Sequence, residues 1–499
     1  MIKKKQILVN ATMSLVQVLA TGFSMFLLYR YLLRQIGVEN LGVWSVVLAT
    51  TSVASIVKKG TSGPAVKFVA RYLAHDKMST ASRVIQTTVL TLGFFAALTL
   101  LLTYPLAKYA LALVVPPTHL SLAYSLLPYS FLSLWIMVVA SVYAAGLDGC
   151  QRTDLRSWVF TLGSLFLLIA SYFLVPSWGL LGLAYAQVGQ SLFVLLTAWA
   201  LLRNQMPSLP FLPHKWDRNL FGEMFAYGLN FQVVSIFQLL YDPITKALLT
   251  KFGGISMTGY YEMASRMITE FRGLIVAANQ VLFPTIADLY ERKLETVGKL
   301  YKDTYSLVLF ISLPLYMGVM ALSPVISMIW IGHYEQTFVA ASLLLGFGFF
   351  VNTLVGPVYF TNLGTGKLKW NTIGHAGIGI LNLVLGSALG WLFGGFGVIA
   401  SWTISLVAGS FVMLFMSHKE LGIPLGVLLP HEHIVITFAS FVGMVFGFAL
   451  CSLMIENVNP ILIALIVSIA YVCAVAWPAW AHPLRPKILH WATESLRKV

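Results

Sequence analysis

The chain has 499 residues, 58% of them hydrophobic and 10% charged, with a formal charge of +14 and a mean hydropathy of +0.82. That balance excludes a soluble globular protein of this length and reads as a polytopic membrane protein. Most of the positive charge sits between apolar spans, where it orients the chain and attracts anionic lipid, so it gives no ground for a nucleic-acid partner.

A helix needs about 20 apolar residues to cross about 30 Å of hydrocarbon, and about fourteen segments meet that length. They fall near 7–33, 40–57, 84–107, 121–146, 157–175, 178–202, 219–248, 256–287, 304–323, 336–361, 371–390, 394–416, 434–455 and 459–480. Such lengths exclude an outer-membrane barrel, so the expected fold is all-α with about 14 transmembrane helices. The first span is too long for a signal-peptide core and reads as a retained helix. Cys150, Cys451 and Cys473 have neither metal nor disulfide spacing and read as small apolar residues.

Loops alternate between basic and nearly uncharged. Lys3 to Lys5, Lys77 with Arg83, Arg152 with Arg156, and Arg203 with Lys215 and Arg218 occupy one side. Lys367, Lys369, Lys419, Arg485 and Lys487 continue the series, so both termini are expected in the cytoplasm. The opposite loops offer little beyond Arg34, Lys108 and Lys251.

Landmarks recur at a separation of about 215 residues, the self-similarity of many transporters. Arg30 with Gly37 matches Lys246 with Gly253, and Leu41-Gly42-Val43-Trp44 matches Thr258-Gly259-Tyr260-Tyr261. Lys67-Phe68 matches Leu282-Phe283, Val142-Tyr143 matches Val358-Tyr359, and Gly179 to Gly182 matches Gly394 to Gly397. Order holds through six spans, an even number, so the copies enter the membrane with one orientation and form parallel six-helix lobes. The expected organisation is an N-terminal lobe at 1–205, a cytoplasmic linker at 206–218, a C-terminal lobe at 219–418, and two further helices with a cytoplasmic tail at 419–499. The linker carries Pro207, Pro210 and Pro213 and is expected to be non-helical, letting the lobes rock.

Charges inside the apolar spans collect on the first, second, seventh and eighth. A charge in hydrocarbon costs about 2.5 to 3.5 kcal/mol on insertion scales, so such residues face a partner, a bundle interior or water. Spacing of four places Asp242 with Lys246, and Glu262 with Arg266 and Glu270, on one helical face each. Internal neutralisation is the structural reading of those pairs. Arg30, Lys59, Lys67 and Arg272 have no obvious acidic partner on their own helix, which favours an anionic ligand. Lys58 and Arg71 read as vestibule contacts near a helix end, where basic side chains snorkel. Gln17, Asn230, Gln238 and Asn279 are candidate sugar contacts, although interhelical hydrogen bonding is the commoner use of buried amides. His431-Glu432-His433 lacks a further ligand and reads as a solvated loop. No catalytic motif is present, so the chain reads as a transporter, not an enzyme, with no cofactor.

Ile36-Gly37 with Leu41-Gly42-Val43-Trp44-Ser45, Phe68-Val69-Ala70-Arg71, Val281-Leu282-Phe283-Pro284 running into Ala287, and Gly394-Gly395-Phe396-Gly397 together resemble one family. It is the polysaccharide-transport branch of the superfamily that also contains multidrug and toxin extruders and lipid II flippases. Resemblance to O-antigen flippases of the Wzx type implies a MATE-like fold in the bacterial inner membrane. It also implies translocation of a polyprenyl-pyrophosphate-linked oligosaccharide by alternating access, alongside polysaccharide polymerase machinery. On that reading Arg30, Lys59, Lys67, Lys246, Arg266 and Arg272 bind the pyrophosphate. Asp242, Glu262 and Glu270 serve as ion pairs or as proton or sodium sites, and membrane potential is the other candidate drive. An ion-coupled multidrug extruder is the first alternative, but it favours buried carboxylates in the N-terminal lobe, whose acids Glu39, Asp76, Asp148 and Asp154 sit at loops or helix ends. A membrane enzyme acting on lipid-linked glycans is the second, and the short external loops offer little acid or base for one.

Overall fold

Away from water, a spanning chain must satisfy its own peptide groups, and helices do so within one segment. A computed structural model describes residues 4–52, 62–280, 294–365, 367–428, 430–455 and 457–486, and among them no strand occurs. In chain order the helices are α1 (Lys4–Ser52), α2 (Ser62–Leu73), α3 (Met78–Val114), α4 (Pro117–Gly149), α5 (Thr153–Gln205), α6 (Arg218–Gly253) and α7 (Ile255–Gln280). They continue as α8 (Leu294–Trp330), α9 (Gln336–Leu354), α10 (Gly356–Thr365), α11 (Lys369–Leu421), α12 (Ile434–Met454) and α13 (Pro460–Ala481). The chain divides into two compact units, Met1–Gly259 and Tyr260–Val499.

Among the described residues, nine helical stretches are long and apolar enough to cross a membrane. Three of them lie in α1, α5 and α11, helices of 49, 53 and 53 residues. At about 1.5 Å per residue each would run about 74 to 80 Å if straight, more than twice a hydrocarbon core. All three bend at a glycine of positive φ: Gly37 (φ 78, ψ 168), Gly179 (φ 54, ψ −133) and Gly394 (φ 63, ψ −150). Glycine reaches that region without Cβ strain. The chain doubles back at the second and third. Phe166 and Phe193, on either side of Gly179, stack at 5.2 Å, and a Cβ at Gly374 or Gly409, on either side of Gly394, would strike Met413 or Ile378. The expected spans 157–175 with 178–202, and 371–390 with 394–416, are therefore hairpins with almost no loop.

The internal repeat is visible in backbone geometry. A Cβ at Gly182 would overlap the Leu174 carbonyl, and one at Gly397 the Leu389 carbonyl, so both copies make the same bend in the same register. Between α1 and α7 the contact is reciprocal. A Cβ at Gly42 would overlap the Ile255 carbonyl, while one at Gly259 would overlap the Val38 carbonyl and approach the Gly42 amide nitrogen to 3.2 Å. Gly42 pairs with Gly259 and Val38 with Ile255 at one offset, that of the Glu39 carboxylate and the Ser256 hydroxyl that donates to it at 3.4 Å, 217 residues away. A contact in which i meets j and its equivalent j meets i pairs the starts of the two sequence copies at a single offset. That offset pairs Gly37 with Gly254 (φ 85), not with Gly253, and moves the equivalent of Arg30 from Lys246 to Ala247. The matched-charge expectation for Arg30 and Lys246 is thus one residue out of register.

The segment from Met206 to Asp217, between α5 and α6, is non-helical. It lies within the first unit and is strapped to it. Met206 and Leu209 are buried in the core formed with Val84, Ile85 and Leu147. Backbone amides of His214 and Lys215 donate to Gln86 Oε1 at 3.3 and 3.2 Å, and that of Asp217 to Thr87 Oγ1 at 3.1 Å. Asp217 then caps α6 by accepting from the Asn219 and Leu220 amides.

In the second unit, the solvated-loop expectation for residues 431–433 fails at His433, which is 2% exposed. Its Nε2 lies 2.6 Å from Ser306 Oγ on α8, and its ring lies 4.6 Å from that of His482, just past α13. His482 in turn faces Phe310 at 4.7 Å. The segment between α11 and α12 thereby joins α8 to the end of α13. Burial holds the His482 imidazole below its ordinary value of 6.5, with the Glu432 carboxylate pulling the other way.

Two outcomes are expected. Gly42→Ala and Gly259→Ala should each lower the yield of monodisperse protein and the melting temperature in detergent, whereas Gly222→Ala, with nothing within 4 Å, should not. Because the folded state favours neutral His482, the unfolded chain takes up its proton first. Stability present above about pH 6.5 is therefore lost as pH falls below it, and His482→Gln should flatten the slope of melting temperature between pH 7.5 and 5.

Candidate functional site

α6 and α7, the most charged of the long helices, are not among the nine apolar stretches. In the first unit Arg30 is half-buried on α1, and no ion pair of it is found among the described residues. Lys67 and Arg71 are exposed on α2. Arg71 stands 3.9 Å from Glu223 and 5.8 Å from the centre of the Tyr72 ring. Lys246 is buried: its side chain is 3% exposed, with Nζ 2.7 Å from Asp242 Oδ2, while Asp242 is 49% exposed. It lines a cavity of about 320 Å³ between α1, α3 and α6, whose walls include Val46, Thr103, Leu106 and Pro243.

The second unit inverts that polarity. Glu262 is the buried partner at 3%, and Arg266, whose Nε donates to Glu262 Oε1 at 2.7 Å, is 43% exposed. Four-residue spacing sets both pairs, so each closes within its own helix. The more exposed member is Asp242 in one pair and Arg266 in the other. Glu270 is half-buried one turn further along α7.

Arg272 donates to Asn352 Oδ1 at 2.8 Å, and its guanidinium lies 5.2 Å from the centre of the Phe349 ring. Asn352 passes the contact to Ser410 Oγ at 3.0 Å, linking α7 through α9 to α11. A second amide cluster follows: Asn362 Nδ2 donates to Asn371 Oδ1 at 2.9 Å and to Ser417 Oγ at 2.8 Å, and Asn371 Nδ2 to the Tyr359 carbonyl at 3.2 Å. All three asparagines are buried. A search for charge passes over them, and their signal is an asparagine inside an apolar run. Gln17 on α1 and Gln238 on α6 are half-buried. Lys58 and Lys59 lie outside the described residues, as do the side chains of Asn230 and Asn279. No group of three or more His, Cys, Asp or Glu able to hold a metal occurs among the described residues.

A family model described as polysaccharide biosynthesis protein matches residues 7–290, more than half of the chain. The chain belongs to that family. A Shigella flexneri protein whose name marks it as a candidate O-antigen transporter is 21% identical over 395 residues, 77% of this chain and 91% of its own length. Among solved structures, the lipid II flippase MurJ in an inward closed conformation has a TM-score of 0.69 at 14% identity, covering 93% of this chain and 98% of its own. An inward-facing multidrug resistance MATE transporter of the MOP superfamily has a TM-score of 0.67 at 14% identity, covering 83% of this chain and 98% of its own. A MOP-superfamily transporter from Pyrococcus furiosus has a TM-score of 0.58 at 14% identity, covering 85% and 95%. The resemblance read from sequence holds for the family, and the fold is that of the MOP superfamily.

The inverted pairs predict an asymmetry. Truncating the exposed member takes the ion-pair partner in the same helix from a buried charge, and breaking a buried pair in this way costs up to about 3 to 5 kcal/mol, whereas neutralising the buried member leaves only a hydrated charge. Asp242→Asn and Arg266→Gln should lower the melting temperature in detergent more than Lys246→Met and Glu262→Gln.

Proposed function

We propose that this protein is a flippase that moves a polyprenyl-pyrophosphate-linked oligosaccharide from the cytoplasmic to the periplasmic leaflet of the bacterial inner membrane, for O-antigen, capsule or exopolysaccharide assembly. The observation that carries the reading is a basic surplus in a member of the polysaccharide biosynthesis family. Arg30 is half-buried in α1, and α2 bears Lys67 and Arg71 and no acid of its own, with Glu223 of α6 3.9 Å from Arg71. The O-antigen name of the Shigella flexneri relative and the lipid II flippase among the structural neighbours support the same class of cargo.

In this reading α1, α5 and α11 each cross twice, α6 and α7 once each, and the chain crosses fourteen times with both termini cytoplasmic. Lobes 1–205 and 219–418 alternate access around the 206–218 linker, with 419–499 appended. Arg30, Lys59, Lys67, Arg266 and Arg272 neutralise the pyrophosphate. Lys246, paired with Asp242, lines the cavity beside α1 and α3 and adds its charge to theirs. Each negative charge leaving a negative interior gains about 2.3 kcal/mol per 100 mV, so a diphosphate gains about 4 to 5 kcal/mol and the potential alone biases export. Asp242 and Glu270 are the carboxylates for H+ or Na+ coupling, and the half-exposed Asp242 is the one feature that favours an ion-coupled multidrug extruder instead. Polysaccharide polymerase machinery is the partner that consumes the exported unit.

Depletion in the native cell, followed by mass spectrometry of lipid-linked glycans, tests the assignment. One complete repeat unit should accumulate on its polyprenyl carrier while surface polysaccharide is lost, and an unchanged lipid pool would transfer the assignment to the multidrug reading. Arg30→Glu should reduce export by about tenfold or more with membrane insertion intact.

A further inference from the structure

The first unit carries a second recess, of about 550 Å³, on the faces of α3, α4 and α5 beneath the strap that joins α5 to α6. Phe94, Ala97, Trp135, Leu196, Trp199 and Phe211 line it. Phe94, Leu196 and Phe211 are 65%, 54% and 62% exposed, so the recess opens outward. Its walls offer hydrocarbon and little else. Trp135 Nε1 is spent on the Gly93 carbonyl at 2.9 Å and Trp199 Nε1 on the Pro210 carbonyl at 3.2 Å, which fixes both indoles and turns their apolar surfaces to the groove.

Charge gathers at the strap end. The Arg203 guanidinium lies 5.4 Å from the centre of the Trp199 ring, and the Trp199 and Phe211 rings meet edge to face with centroids 4.8 Å apart. Lys215 and Arg218 are exposed just beyond the lining residue Pro213. Arg83 stands 3.9 Å from Asp217, the acidic residue of the strap. Phe211, Leu212 and Trp216 are 62%, 70% and 52% exposed on a non-helical segment. Large apolar side chains interleaved with Lys and Arg at the end of a helix bundle fit the headgroup level of a bilayer, where aromatic rings and basic residues both settle.

We propose that this groove is a binding site for one anionic glycerophospholipid, an acyl chain lying between Phe94 and Leu196 and the phosphate meeting Arg203 and Lys215. Volume and apolarity suit a chain, and the cationic rim selects the headgroup. The lipid covers the strap's apolar residues and holds it against α3 and α5. This site is separate from the charged helices α6 and α7 and does not depend on what the protein exports.

Native mass spectrometry of the purified, delipidated protein tests the site, with phosphatidylglycerol and phosphatidylcholine added as matched-chain probes. The wild type should retain one phosphatidylglycerol several-fold in preference to phosphatidylcholine. Arg203→Gln should remove the preference while leaving chain binding, and Ala97→Trp, which fills the groove, should release both lipids. Equal retention of the two lipids by the wild type, or an unchanged preference in Arg203→Gln, overturns the proposal. Arg203 is exposed, so that variant tests the headgroup contact even where Ala97→Trp folds poorly. Displacement of phosphatidylglycerol by an equimolar polyprenyl phosphate would also overturn it, by making the groove a site for the exported lipid's own tail.

Discussion

Removing a single methyl from each of two helices lets α1 and α7 approach until the backbone at Gly42 lies against the carbonyl of Ile255, and Gly259 against that of Val38. No side chain fits there. In lipid, where apolar surface gains little by meeting other apolar surface, helices associate through such close backbone packing and through hydrogen bonds. The contact is reciprocal, so it pairs the beginnings of the two sequence copies at one offset and sets the register from which equivalent positions are counted.

That register shows how far the charged residues obey the repeat. Gly37 and Gly254 are equivalent and share positive φ, yet Arg30 then corresponds to Ala247, and Lys246 sits one position away with its charge turned inward to Asp242. The symmetry is one of backbone, and the charges depart from it. One pair buries the base, the other buries the acid, and each presents the opposite sign.

Sequence reasoning reached the helices, the repeat and the four-residue pairs because each is periodic. Hydropathy marks spans by length, and i,i+4 spacing marks a shared face. It was less secure where the deciding information is not periodic. The glycine match was one residue off because Gly253 and Gly254 are adjacent and only φ distinguishes them. His433 read as solvated because its neighbours His482 and Ser306 are remote in sequence. Asn352, which orients Arg272, carries no charge and so left no mark in a search for charge. The strap between α5 and α6 was legible as proline-rich and non-helical, but its anchoring by Gln86 and Thr87 depends on side chains more than a hundred residues away.

The hairpin bends at Gly179 and Gly394 bear on what the two copies have in common. Around them the two copies differ, Trp178-Gly179-Leu180 against Phe393-Gly394-Gly395, yet the dihedral angles agree and the second glycine three residues on abuts the same carbonyl in each. Side chains diverged while a backbone path was kept. The turn is a property of the glycine and of the backbone on either side of it, so the residues around it can differ between the copies without straightening it.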